Sequence, residues 1–195
     1  MSALGFADPV LQSQATFRAI LNALSRPGTL VDAGAGLEPP APLGAAAAAA
    51  LLALADYETP LWISPAFASG DVAAWVKFHT GAPSAASPKT AAFALIDLTA
   101  DPLDLAAFAE GSAEYPDRST TLIAQVASLS TAGPLRLFGP GVRGEAAFGF
   151  TPCPSDFTAQ WRANGEGFPL GVDLILAAGG RLAALPRSAR LHGDV

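Results

Sequence analysis

The side chains able to do acid–base, nucleophilic or ligand chemistry are few in this sequence, and they are scattered. His79, His192 and Cys153 are its only histidines and cysteine. Zinc needs three or four such ligands with some local clustering, so no resident metal is expected. A Schiff-base cofactor needs a lysine in a desolvated pocket. The two lysines are Lys77, mid-helix beside Trp75 and Phe78 and expected to snorkel to solvent, and Lys89, in a loop after Pro88. Neither is poised for imine chemistry, and no cofactor is expected. No GxSxG elbow ties a serine to His79. What remains is a set of charges at the ends of apolar segments. Asp56, Asp97 and Asp173 could carry perturbed acidities. Arg26, Arg187 and Arg190 could clamp a phosphate-like oxyanion bidentately, although an Asp173–Arg187 ion pair is an equal reading. His79 closes a helix, where it either meets the C-terminal dipole or contacts a substrate or partner.

Two of these charges belong to the stretch that organises the chain, FPLGVDLILAAGGRLAALPRSARL at 168–191. Its apolar runs, 172–178 and 182–185, flank Gly179-Gly180, which predicts an antiparallel hairpin with a type I′ turn. The first run is apolar except at Asp173, so it should be covered on both faces in the interior of a sheet. Pro169 and Pro186 bracket the pair, where a missing N–H costs no ladder bond. Residue 173 then lies opposite about residue 186. A carboxylate there must be paired or hydrogen-bonded, so Asp173 and Arg187 either pair directly or converge on a rim site shared with a partner.

Gly139-Pro-Gly-Val-Arg-Gly144 matches GxGxxG after a predicted strand. No helix opens at 144, and no acidic residue follows about twenty positions later, so the dinucleotide fingerprint is incomplete. A tight glycine loop is the better account, with a backbone nest for an oxyanion as the alternative.

The supporting elements can be read in order. Residues 10–25 form a helix with Asp8 as N-cap and Pro9 at its first position, carrying Val10, Phe17, Ile20, Leu21 and Leu24 on one face. A strand at 29–33, an alanine-rich helix at 43–55 and a strand at 61–64 follow. A helix capped by Asp71 runs to Phe78, with Val72, Trp75, Val76 and His79 on a shared face. Further strands are expected at 91–98, 120–128 and 135–138, a short helix at 103–109, and a helix at 155–163 capped by Ser155 and anchored by Trp161. This order predicts a single-domain layered α/β/α fold with a mixed sheet over residues 1–195, preceded by a loose tail at 1–9.

Hydrophobic residues make up 51% of the 195 and charged residues 14%, with a net charge of -6. So little charge implies that a partner covers part of the surface, the commonest closed solution being a homodimer. The acidic balance argues against nucleic acid and anionic membranes. No apolar run is long enough to span a bilayer, the N-terminus does not read as a secretory signal, and a lone cysteine implies no oxidising compartment. The chain is expected in the cytoplasm.

The hairpin sequence FPLGVDLIL, its glycine turn and LPR resemble the C-terminal signature of the PhnH family. Other matching words follow in order: Phe17-Arg18, Ser25-Arg26-Pro27-Gly28, Leu54-Ala55-Asp56, Thr59-Pro60-Leu61-Trp62, Phe78-His79-Thr80, Thr121-Leu122-Ile123, Gln125-Val126 and Gly139-Pro140-Gly141. The resemblance spans roughly residues 10–190, and the alanine- and glycine-rich segment around 33–50 departs from it. It implies a subunit of the bacterial carbon–phosphorus lyase core complex, partnered by PhnG, PhnI and PhnJ and supporting transfer of a phosphonate to the ribose of ATP with loss of adenine. Phosphonate or ATP would be met only through the complex. It further implies a homodimer and a fold like that of pyridoxal-phosphate-dependent transferases without their cofactor site. No catalytic residue is implied, and Arg26, Asp56, His79, Asp173 and Arg187 stand as a candidate surface or interface set. The competing class is a free-standing enzyme or binding protein for a phosphorylated compound.

Overall fold

The structure, a computed structural model, describes residues 5–68 and 70–192. Helix α1 (Pro9–Ser25) starts where proline tolerates a missing hydrogen bond. Asp8 Oδ1 accepts from the N–H groups of Val10 and Leu11 at 3.1 and 3.0 Å. The chain before it is not a loose tail from residue 5 onward, because Phe6 packs against the core; residues 1–4 lie outside the described residues. The buried stripe of α1 is Thr16, Ile20 and Ala23, whereas Val10, Leu11, Phe17 and Leu21 are exposed. The expected apolar face is thus split. The small side chains at 16 and 23 bring the helix close to the core, which turns Val10, Phe17 and Leu21 outward.

Strand β1 (Val31–Asp32) precedes α2 (Ala45–Leu54). Alanine suits α2 doubly, through high helix propensity and because a thin helix fits between neighbours: Ala46 through Leu51 are each at most 1% exposed. Its N-terminus docks on the central hairpin, with Ala46 N–H donating to the Gly179 carbonyl at 3.0 Å and Gly44 N–H to Gln125 Oε1 at 2.6 Å. Strand β2 (Leu61–Ile63) and the short α3 (Pro65–Ala68) lead to α4 (Asp71–Thr80). The N-cap of α4 is Gly70 rather than Asp71, which instead places its carboxylate in the first turn, beside the positive end of the helix dipole.

Strands β3 (Phe93–Asp97), β4 (Thr121–Gln125) and β7 (Asp173–Ala178) join β2 in parallel. Strand β8 (Arg181–Leu185) returns antiparallel beside β7, and the six-stranded mixed sheet has the order β1-β8-β7-β4-β3-β2. β7 is interior and covered on both sides, as its continuous apolar run requires. Ile175 and Ala177 join the helical core with α1, α2 and α4, while Leu174 and Leu176 join the core on the opposite face. The turn is not type I′, since only Gly179 of the glycine pair has positive φ (55°). Positive then negative φ is the sign pattern of a type II′ turn. The glycine carbonyls are occupied from outside, Gly179 by Ala46 and Gly180 by Ala33 N–H at 2.9 Å.

The second face departs from a plain α/β/α layer. It is covered by α5 (Phe157–Glu166) together with a three-stranded antiparallel sheet, order β6-β5-β9, made of β5 (Ser128–Phe138), β6 (Ala146–Thr151) and β9 (Arg190–His192). The expected short strand at 135–138 is the second half of β5, whose pairing with β6 shifts register between Ser130 and Leu135. Trp161 anchors α5, 1% exposed, with Nε1 donating to the Ala189 carbonyl at 2.9 Å. The N-cap of α5 is Asp156 rather than Ser155, and its carboxylate accepts from Gln160 Nε2 at 2.9 Å instead of closing on the helix backbone. The segment at 103–109 contains only a 3₁₀ turn, Leu105–Ala107.

Candidate functional site

The hairpin register pairs Leu174 with Leu185 and so brings the start of β7 beside the chain leaving β8. Asp173 and Arg187 meet there directly. Arg187 Nη2 lies 2.5 Å from Asp173 Oδ2, Nε donates to Oδ1 at 3.2 Å, and the Arg187 backbone N–H also donates to Oδ1 at 2.7 Å. The other guanidinium hydrogens go to the Pro116 carbonyl at 2.8 Å, the Pro169 carbonyl at 3.4 Å and the hydroxyl of Ser119. A guanidinium has five N–H donors, and here each has an acceptor. Both side chains are largely buried, at 14% and 21% exposure. The cluster fastens the hairpin to the loops before β4 and β7, leaving no donor of Arg187 free for a ligand. Ser119 and the carbonyls of Pro116 and Pro169 carry no sequence signal for this role, because loop backbone reaches Arg187 only through the fold.

The other expected residues do not converge on this cluster. Arg26 is the exposed C-cap of α1, its backbone N–H bonded to the Asn22 carbonyl at 3.1 Å. Asp56 shapes the turn after α2, where its Oδ1 accepts from Glu58 N–H at 2.9 Å. His79 sits in the last turn of α4, its ring 4.7 Å from that of Trp75. Arg26 lines a shallow groove along α1 that neither His79 nor Arg187 reaches. Both lysines are exposed, as expected, and each also bonds backbone carbonyls: Lys77 those of Gly81 and Ala82, both at 3.1 Å, and Lys89 that of Phe108 at 2.8 Å.

Ligands of open α/β sheets commonly sit outside the carboxyl ends of the strands, and here the polar side chains at the ends of β3 and β4 are engaged by the chain itself. Asp97, 4% exposed, accepts from the Thr99 N–H and hydroxyl at 3.0 and 2.6 Å. Asp101 caps Ala66 N–H at 3.1 Å, and Gln125 bridges Gly44 to the Pro42 carbonyl. No cluster of three metal-ligating His, Cys, Asp or Glu side chains occurs among the described residues. Burial pushes the Cys153 thiol up to about 11, which keeps it protonated and a poor nucleophile at neutral pH.

Residues 4–192 match the family model described as bacterial phosphonate metabolism protein (PhnH). The chain belongs to the PhnH family. A protein named alpha-D-ribose 1-methylphosphonate 5-triphosphate synthase subunit PhnH, from Rhizobium meliloti (strain 1021), is 39% identical over 189 residues, covering 97% of this chain and 94% of that one. A putative C-P lyase subunit protein HtxG from Stutzerimonas stutzeri is 36% identical over 85 residues, 42% of each chain.

Two of the words that signalled PhnH in the sequence meet in space. A side chain at Gly141, where φ is +81°, would collide with the Ser25 carbonyl oxygen and press on Pro27, and one at Gly28 would strike Leu137. The GxGxxG segment is therefore the connection between β5 and β6, packed on the end of α1, and opens no helix. Gly139 and Gly141 serve close approach of backbones, and Gly144 supplies a positive φ in open space.

Proposed function

We propose that this chain is a non-catalytic accessory subunit of a carbon–phosphorus lyase core complex. It would act in the cytoplasm beside PhnG-, PhnI- and PhnJ-type subunits and support transfer of a phosphonate to the ribose of ATP with release of adenine. The names of the two relatives support the assembly. One structural observation carries the accessory role: α1 holds Val10, Leu11, Phe17 and Leu21 in solvent at 77, 64, 45 and 50% exposure, while the Asp173–Arg187 pair is taken up by its own chain. Such a face fits a partner surface better than a substrate. The same face suits a homodimer before assembly.

In this reading residues 1–195 act as one PhnH-like domain. The mixed sheet is a pyridoxal-phosphate-dependent transferase-like layer without a cofactor site, consistent with both lysines being tied to carbonyls. Arg26, Asp56 and His79 then serve separate surface contacts, and Asp173–Arg187 shapes the rim at the start of β7. No helix among the described residues is long and apolar enough to cross a membrane. The test is affinity purification of the tagged chain from cells grown with a phosphonate as sole phosphorus source. Stoichiometric recovery of the three other subunits is expected, and recovery of the chain alone, with growth unaffected by deleting its gene, would overturn the proposal.

A further inference from the structure

The cleft between α5 and β9 joins aromatic rings to guanidinium groups in a way that neither the clasp nor the α1 face uses. Strand register pairs Leu137 with Leu191, both in the core, so the flanking residues Phe138, Arg190 and His192 occupy the opposite, outer face of β5 and β9. There the Phe138 and His192 rings stack at 3.9 Å between centroids and 8° between planes. Across the cleft, α5 contributes Arg162 and Glu166, and Phe168 follows at 55% exposure. The open cleft has a volume of about 470 Å³, within the range of small-molecule sites.

Arg190 is built into this cleft. Its Nη1 donates to the Gly165 carbonyl at 2.6 Å, and a Cβ at Gly165 would occupy the guanidinium's place. Glycine inside a helix is unfavourable relative to alanine, and room for Arg190 explains it at this position. That carbonyl, at the negative end of α5, also accepts from the backbone N–H of Phe168 at 3.3 Å, and the bond leaves four of the five Arg190 donors for other acceptors. Arg162 and Arg190 against Glu166 give the cleft a positive balance on a chain whose net charge is -6.

We propose that this cleft binds a nucleoside phosphate. The base would stack on the aromatic platform, which is sequence-tolerant because every base has a π-face. The phosphates would meet Arg162 and Arg190, whose planar forks match phosphate oxygens. Glu166 is the acceptor suited to a ribose hydroxyl or an exocyclic amine. The proposal concerns binding alone and does not rest on membership of any complex.

Calorimetric titration of the full chain with ATP, adenosine and tripolyphosphate at low salt tests it. ATP should bind, and each fragment, lacking either the anion or the stacked base, should bind at least about tenfold more weakly. Arg162→Glu and His192→Ala each change an exposed side chain and should weaken ATP binding about tenfold with unchanged thermal melting, the first also flattening its salt dependence. Absence of ATP binding, equal binding of ATP and tripolyphosphate, or ATP binding indifferent to both variants would overturn the inference. So would the finding that Arg162→Glu removes an acidic partner protein while ATP neither binds nor competes, since the cleft would then be a protein-docking site.

Discussion

The Asp173–Arg187 clasp and the outer face of α1 use their side chains in opposite directions. At the clasp, the most strongly hydrogen-bonding side chain available turns inward and meets an acceptor at every donor, two from Asp173, two backbone carbonyls and a serine hydroxyl. On α1, large apolar side chains turn outward and touch little of their own chain, Phe17 at 45% exposure and Leu21 at 50%. A charged pair taken up inside the fold and an apolar helix face left outside it together suit a chain that docks on a partner. The clasp should therefore control stability and leave assembly intact once folded, whereas the α1 face should control assembly and leave stability intact.

Arg187→Ala should break this contrast on the stability side most strongly. It leaves Asp173 as a largely buried carboxylate without its cation, which costs about 3 kcal/mol and lowers the melting temperature by roughly 10 °C for a chain of this size. Asp173→Ala combined with Arg187→Ala should recover part of that loss. A single variant that melts like the parent chain would mean that the clasp is not structural.

Gly141→Ala comes next, because it asks an L-residue to adopt a φ of +81° with its Cβ against the Ser25 carbonyl. About 1–3 kcal/mol of destabilisation is expected. Urea denaturation would measure it, and a neutral result would separate the β5–β6 connection from the end of α1.

The smallest effect concerns Cys153. Burial raises its native pKa to about 11, so the folded state holds its proton more tightly than the unfolded state. The contribution is present below the unfolded value of about 9 and fades as pH climbs toward 11. At pH 8 iodoacetamide should label the denatured chain faster than the native one. Equal rates would place the thiol at the surface.

Much of the central architecture was legible in the residues. The unbroken apolar run of β7 demanded cover on both faces, Gly179-Gly180 fixed a two-residue turn, and that register alone brought Asp173 to Arg187. Asp8 and Pro9 likewise marked the start of α1. The small sheet was not legible, because Ser130, Thr131, Gly133 and Pro134 break the strand pattern between 120–128 and 135–138, although β5 continues through them with a register shift. Strand β9 has only three residues, too few for any periodicity. With β9 unread, Phe138 and His192 had no reason to meet, so the α5–β9 cleft was invisible although Arg190 and His192 were each noticed. The outward turn of Phe17 and Leu21 also escaped the pattern. Periodicity groups apolar residues on a helix without saying whether their side or the small-residue side faces the core.

The central claim is tested most directly by placing Phe17→Glu and Leu21→Glu together in the tagged chain and purifying it from cells grown on a phosphonate. Both positions are substantially exposed, so the melting temperature should stay close to that of the parent chain. Burying two carboxylates in an apolar interface is costly, and the account predicts that the PhnG-, PhnI- and PhnJ-type subunits no longer accompany the variant and that growth on phosphonate fails. Full recovery of the complex with normal growth would contradict it.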